Sequence, residues 1–237
     1  MHISRFHKSC ILLSVTFTAA FSLNAQETTD DVFITLLKAD YIQGAVVIRF
    51  ETLQDEDAVY RIYRSTSPIT GKSDLDENSP AGANLAGEIK RDELPFSDHP
   101  EKDGKYYYMV SVVKEGIEYF TFVPYQNTTL TPVDYAPFPE PVQRITVQKL
   151  QETTVSIRYS PVRNNYLYRL YLSEKEKSDL SGLSPCREIR GEDAGFKVNL
   201  QKGRRYFFYV TTRNRLGVEN RVCLLYTSDA ADELDGV

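Results

Sequence analysis

Tryptophan is absent, and cysteine, histidine and methionine are scarce: 3 Cys, 3 His and 2 Met in 237 residues. Three cysteines, at positions 10, 186 and 223, cannot build the disulfide framework of a small secreted scaffold. Nor do they form the short-spaced Cys/His sets that hold zinc. With so little histidine, a Ser-His-Asp or Cys-His site has few places to be. No apolar run reaches the roughly 18 residues that span a bilayer as a helix. Gly-rich phosphate loops and nucleophile elbows are missing as well. Positive charge is not in excess: 28 Lys and Arg stand against 33 Asp and Glu, a net of -5, which excludes a globally basic nucleic-acid coat.

The two ends differ from what lies between. Residues 1–25 read as a secretory signal peptide, with Arg5 and Lys8 as the positive region and an apolar stretch from Ile11 to Phe21. Leu23-Asn24-Ala25 then places a small residue at the cleavage point, and no acid precedes Glu27. Cys10 lies ahead of the apolar stretch and is not placed for lipidation. At the far end, residues 223–233 (Cys-Leu-Leu-Tyr-Thr-Ser-Asp-Ala-Ala-Asp-Glu) resemble a translated sequencing adapter, which makes 223–237 an artefactual tail. On that reading Cys186 is the one authentic mature cysteine and has no internal partner; a Cys186–Cys223 bridge is only a formal alternative.

Between the ends, a pattern occurs twice. Val46, Ile48 and Phe50 alternate with polar residues, as do Val155, Ile157 and Tyr159, the period of half-buried strands. Tyr60-Arg61-Ile62-Tyr63 returns as Tyr168-Arg169-Leu170-Tyr171, with Arg expected on a wet face. Tyr106, Tyr108, Val110 and Val112 alternate up to Gly116; Tyr206, Phe208, Val210 and Thr212 do so up to Gly217. Five of the 11 prolines (Pro124, Pro132, Pro137, Pro139, Pro141) separate the copies, and proline's fixed φ and missing donor predict an extended connector there. No segment carries a sustained 3.6-residue period, so helices should be few.

The late strand of each copy resembles that of fibronectin type III domains, in bacterial secreted form. The family pattern Tyr-x-aromatic-x-Val-x-small-x-Asn-x-x-Gly is met by Tyr206, Phe208, Val210, Thr212, Asn214 and Gly217. The first copy keeps Tyr106, Tyr108 and Val110, has Lys114 for the Asn, and has a shorter turn. The resemblance covers nearly all of 31–222. It implies an all-β fold of two consecutive sandwiches, about seven strands each, with Tyr106 and Tyr206 as tyrosine corners that bond back to upstream backbone. The family's frequent second-strand Trp is replaced by Phe50 and Tyr159, which leaves another immunoglobulin-like sandwich open. The expected organisation is a signal peptide (1–25), a first domain (26–123), a Pro-rich linker (124–141), a second domain (142–222) and the tail (223–237). If the tail is artificial, the second domain lacks its authentic last strand, for which Leu224 and Leu225 would be poor substitutes.

Nothing assembles into a catalytic set. His99, the one mature histidine, lies in Ser97-Asp98-His99-Pro100, read as a solvated turn. Asp74, Asp76 and Asn78 open like a calcium loop, but Ser79 and Leu85 stand where Gly and Glu are required. Asp55-Glu56-Asp57 reads as loop surface charge rather than a glycosidase pair. Arg190-Gly191-Glu192 falls outside the turn that could present an integrin-type tripeptide. No enzyme activity, cofactor or metal is therefore expected.

Charge is segregated. Residues 26–123 hold 10 basic and 19 acidic residues, whereas 142–222 hold 16 basic and 8 acidic. Arg187, Arg190, Arg204, Arg205, Arg213 and Arg215 are the candidate binding set of the second domain, for an anionic glycan or a protein partner, with strong salt dependence. The plainer alternative is contact between the two domains. The expectation is an exported, non-enzymatic binding or spacer protein, in the periplasm, on the outer surface or extracellular. The alternative is a set of accessory domains preceding a polysaccharide hydrolase or peptidase. Neither nucleic acid nor a transmembrane segment is expected.

Overall fold

The computed structural model describes residues 32–76, 79, 82–162, 167–190, 195–221 and 226–228, the last three by their backbone only. The leader reading, and the tail apart from 226–228, lie outside the described residues.

Eight strands form the first sandwich: β1 (Thr35–Ile42), β2 (Ala45–Glu51), β3 (Val59–Ser65), β4 (Asn84–Ile89), β5 (Phe96–Asp98), β6 (Gly104–Lys114), β7 (Ile117–Tyr119) and β8 (Val133–Tyr135). They make one sheet of order β1-β2-β5 and another of order β4-β3-β6-β7, with β8 also paired to β6. The second sandwich repeats this strand for strand: β9 (Gln143–Lys149), β10 (Thr154–Ser160), β11 (Leu167–Ser173), β12 (Arg187–Arg190), β13 (Gly195–Asn199), β14 (Tyr206–Arg213), β15 (Glu219–Asn220) and β16 (Tyr226–Ser228). Its sheets run β13-β10-β9 and β12-β11-β14-β15, with β16 on β14. All pairings between these strands are antiparallel, and two short 3-10 turns are the only helical pieces among the described residues. The protein is all-β: two consecutive immunoglobulin-like, fibronectin type III-like sandwiches, each a three-stranded sheet facing a five-stranded one in which the last strand adjoins the same partner as the short turn strand.

Alternation places the cores. Val46, Ile48 and Phe50 meet Tyr60, Ile62, Tyr108, Val110 and Val112 between the first pair of sheets. Val155, Ile157 and Tyr159 meet Tyr168, Leu170, Phe196, Phe208 and Val210 between the second. The expected wet face of β3 and β11 is instead half-covered. The segment following β3 brings Ile69, Leu75 and Ala83 onto Tyr63 and Met109. The segment following β11 brings Leu180 and Leu183 onto Tyr171, Phe207 and Tyr209. Alternation alone cannot distinguish a solvated face from one that a long loop folds over.

The Pro-rich segment is not wholly a connector, which corrects the domain boundary at 123. Asn127 closes a turn there: its Oδ1 accepts the Val123 N–H at 2.8 Å and its Nδ2 donates to the Thr121 carbonyl. Thr129 N–H bonds the Tyr108 carbonyl at 2.9 Å, and β8 pairs Val133 with Tyr106 and Tyr135 with Gly104. The first sandwich therefore runs through Tyr135, and only residues 136–141 connect. An edge strand tolerates flanking prolines because one side of its ladder needs no donors. In the second sandwich β16 takes the corresponding place, pairing Tyr226 with Phe208 and Ser228 with Tyr206; the expected substitutes, Leu224 and Leu225, lie outside the described residues.

Candidate functional site

The connector is rich in carbonyls and poor in donors, because Pro137, Pro139 and Pro141 have no N–H. Buried carbonyls demand partners, and here they come from both sandwiches. Tyr41 of β1 donates to the Ala136 carbonyl at 2.8 Å. From the second sandwich, Asn214 Nδ2 donates to the Pro137 carbonyl at 2.9 Å, Asn220 Nδ2 to the Pro139 carbonyl at 2.7 Å, and Thr212 Oγ1 to the Glu140 carbonyl at 2.5 Å. Asn214, 4% exposed, also donates to the Tyr41 hydroxyl at 2.8 Å. Its Oδ1 accepts the Leu216 and Val218 N–H groups at 3.1 and 3.0 Å, so one side chain both shapes the β14–β15 turn and crosses the seam. Gly44, at φ +90, lets the connector lie on the β1–β2 turn: a Cβ there would sit 2.6 Å from the Phe138 Cβ.

Arg215 completes the seam. Its Nε donates to Asp103 at 2.7 and 2.9 Å, its Nη1 and Nη2 to the two oxygens of Asp134, and its Nη2 also to the Tyr135 carbonyl at 2.8 Å. The Arg215–Asp134 hydrogen bonding holds the Asp134 carboxyl below the usual carboxylate range against a smaller opposing effect of burial. The acidic first half and basic second half thus meet at this point.

The structure does not bring the six candidate arginines together. Arg204 and Arg205 precede β14, whereas Arg213 and Arg215 lie at and beyond its other end, so eight strand residues, about 25 Å, separate them. Arg204 pairs with Glu174, and the Arg205 guanidinium lies over the Phe207 ring at 5.4 Å. Arg187 and Arg190 occupy the two ends of the edge strand β12, opposite Leu170 and Leu167. Arg215 is committed to the seam. What converges is Arg190 and Arg213, placed on either side of Leu167 on one sheet face. The two tyrosines differ: Tyr106 Oη donates to the Lys102 carbonyl at 2.8 Å, whereas Tyr206 Oη accepts the Gln201 N–H at 3.4 Å.

Two clefts adjoin this place. One of about 310 Å³ is lined by Leu167, Arg190, Arg213, Asn214, Arg215 and the turn to Gly217. The other, about 720 Å³, runs along the seam past Gln43, Phe138, Arg169, Glu219 and Arg221. Arg213 and Gly217 line both. Arg213 Nε donates to the Gly217 carbonyl at 2.9 Å, and its guanidinium lies against the bare Cα of that glycine: a Cβ there would meet Nη2 at 2.8 Å.

Sequence reasoning missed a matched carboxylate cluster on the half-covered face of each sandwich. Glu118 accepts from Ser111 Oγ at 2.5 Å, Tyr63 Oη at 2.7 Å and Arg61 Nη1 at 2.6 Å, while Arg61 Nε binds Glu88 at 2.7 Å. Glu219 accepts from Thr211 Oγ1 at 2.5 Å, Tyr171 Oη at 2.7 Å and Arg169 Nη1 at 3.2 Å, with Arg169 Nε 2.7 Å from Glu188. Burial alone would raise the pKa of Glu118 and Glu219, but the hydroxyl and guanidinium hydrogen bonds outweigh it and hold both below the usual range. Burial and the facing carboxylate push Tyr63 up to about 12. The repeated Tyr-Arg-x-Tyr carried this signal; the glutamates it reaches, Glu118 and Glu219, were not singled out.

A second missed group occurs in the first sandwich only. Asp98, read as part of a solvated turn, is 5% exposed and accepts Arg64 Nη1 at 2.7 and 2.9 Å and Tyr108 Oη at 2.8 Å. The neighbouring His99 is exposed. By register, Arg64, Asp98 and Tyr108 correspond to Leu172, Val198 and Phe208, all apolar. Asp74 of the would-be calcium loop instead caps its own turn, its Oδ2 accepting from Thr70 N at 2.8 Å, Thr70 Oγ1 at 2.9 Å and Gly71 N at 3.1 Å. Among the described residues Cys186 is a free thiol, and no helix is long and apolar enough to cross a membrane.

No family model and no curated protein matches the sequence. Among solved structures, the chain is similar to a two-domain fibronectin type III segment of chicken tenascin: 14% identity, 82% of this chain and 98% of that one, TM-score 0.44. The FN1–FN3 domains of chicken CNTN1 align at 13% identity over 84% of this chain and 67% of that one, with a TM-score of 0.37. The FN5 domain of Drosophila Lar aligns at 18% identity over 38% of this chain and 96% of that one, with a TM-score of 0.29.

Proposed function

We propose that this chain is an exported, non-enzymatic binding and spacer module of the cell envelope, whose two sandwiches act as one rigid presenting unit. The observation that carries this reading is the seam. Three side chains of the second sandwich bond connector carbonyls, and Arg215 bridges to two aspartates of the first, so the hinge has few groups left to move. Flexible tandem domains leave such connector groups to water; a connector whose carbonyls are tied from both sides favours a fixed spacing. The repeated Glu118 and Glu219 clusters serve the same end, each fixing the turn strand that closes its sheet.

The test is rotational diffusion measured by NMR relaxation on the whole chain. A single tumbling time shared by the two sandwiches supports the reading; two independent, shorter times would sink the spacer role. Turnover of any substrate on a hydrolase panel would overturn the non-enzymatic part.

A further inference from the structure

We propose that the double cleft around Arg213 is a binding groove for an acidic, uronic acid-bearing glycan; this deepens the reading above by giving the module a ligand class and a site. Arg190 and Arg213 face the same way from β12 and β14 on either side of Leu167. Two strand spacings put their Cα atoms about 10 Å apart, the order of a disaccharide repeat. A guanidinium offers a planar pair of donors that matches a carboxylate. Arg213 is preorganised for this: its Nε is used on Gly217, which fixes the guanidinium against that glycine in the wall that the two clefts share.

The groove then continues across the seam. Phe138 is 49% exposed there, its backbone pinned against Gly44, so its ring forms part of the cleft wall. An aromatic face beside an amide, that of Gln43, suits the alternating apolar and hydroxyl faces of a pyranose better than it suits a run of phosphates. The nearby carboxylates do not compete for the ligand's place: Glu219 is tied to Tyr171, Thr211 and Arg169, and Asp134 to Arg215. Glu192 and Asp193, next to β12, lie outside the described residues. Because Phe138 is on the connector and Arg213 on the second sandwich, the groove keeps its shape only while the seam is closed.

The probe is a short oligogalacturonate, with its carboxyl-reduced neutral counterpart as control, titrated calorimetrically at low salt into the whole chain. Binding of the acid form, loss of at least tenfold for the neutral form, a tenfold or greater loss in R190Q/R213Q and a several-fold loss in F138A are expected. Equal binding of acid and neutral forms, or an unchanged affinity in R190Q/R213Q, would overturn the site. An Asp/Glu peptide or inorganic polyphosphate binding as tightly as the uronate would overturn the ligand class, leaving only charge attraction. Amide spectra of each variant report folding independently. The tumbling measurement reads the seam separately, so failure of the ligand proposal and failure of the spacer reading give different results.

Discussion

Arg215 of the second sandwich holds Asp134 of the first through both arms of its guanidinium, Nη1 to Oδ2 at 2.9 Å and Nη2 to Oδ1 at 2.5 Å. Both side chains are more than two-fifths exposed, so the pair is worth about 1 kcal/mol or less. R215A should therefore leave both sandwiches folded and loosen the seam, which Thr212, Asn214 and Asn220 still hold, so that the tumbling times of the two sandwiches begin to diverge. Acid should do the same. The Asp134 pKa is depressed in the folded state, so the contribution is present above the unfolded carboxylate range, about 3.9, and is lost as pH falls through the lower folded value. NMR relaxation across that acid range checks it, and a seam equally tight in R215A would refute the role given to Arg215.

Glu118 and Glu219 should behave as a pair of equals. Each gathers a hydroxyl from the neighbouring strand, a tyrosine and an arginine. Replacing either with Ala leaves two hydroxyls without their acceptor and the arginine with only Glu88 or Glu188, at a cost of about 2–3 kcal/mol. E118A should destabilise the first sandwich and E219A the second, by similar amounts, in urea melts followed by residue-resolved NMR. Both carboxyls have depressed folded pKa values, so their stabilisation fades as pH falls below the ordinary glutamate value, about 4.3. An effect confined to one of the two variants would contradict the equivalence.

The Arg64, Asp98 and Tyr108 group invites a transplant. Breaking a buried pair leaves a charge uncompensated, so D98A should cost about 3 kcal/mol. Replacing all three members with their counterparts, R64L/D98V/Y108F, restores an apolar contact already built in the second sandwich and should be at least 2 kcal/mol more stable than D98A. Burial and the Asp98 charge raise the Tyr108 pKa. Its contribution is thus complete below the unfolded tyrosine value, about 10, and is lost as pH rises toward the folded one. Alkaline melts should show that loss in the wild type and a weaker one in the triple variant. A triple variant no better than D98A would show that the first sandwich cannot accept the apolar solution.

Tyr106 and Tyr206 occupy matching places but make different bonds. Tyr106 donates to a carbonyl at 2.8 Å, so Y106F leaves the Lys102 carbonyl without that donor and should cost about 1 kcal/mol. Tyr206 accepts a long 3.4 Å bond from Gln201, and Y206F should cost clearly less. Chemical denaturation of the two variants gives the comparison; the reverse order would mean that the two hydroxyls do not act through these bonds.

Alternation and repetition in the sequence were enough to place the core strands, because a half-buried strand must put an apolar residue at every second position. They gave Val46, Ile48 and Phe50, their counterparts Val155, Ile157 and Tyr159, and the late strands ending near Gly116 and Gly217. Composition set the charge contrast between the halves. What pattern could not decide was where long-range partners lie. Glu118 meets Tyr63 across 55 residues and Asn214 meets Tyr41 across 173, distances at which no local period leaves a trace. The prolines between 124 and 141 argued for a connector, yet an edge strand between Pro132 and Pro137 needs hydrogen bonds on one side only, so β8 joined the sheet. The arginines made a single basic group in sequence. Folding sent Arg204 and Arg205 to one end of β14, used Arg215 to close the seam, and left Arg190 and Arg213 facing a shared cleft, because a strand carries its two ends some 25 Å apart whatever the charge on them.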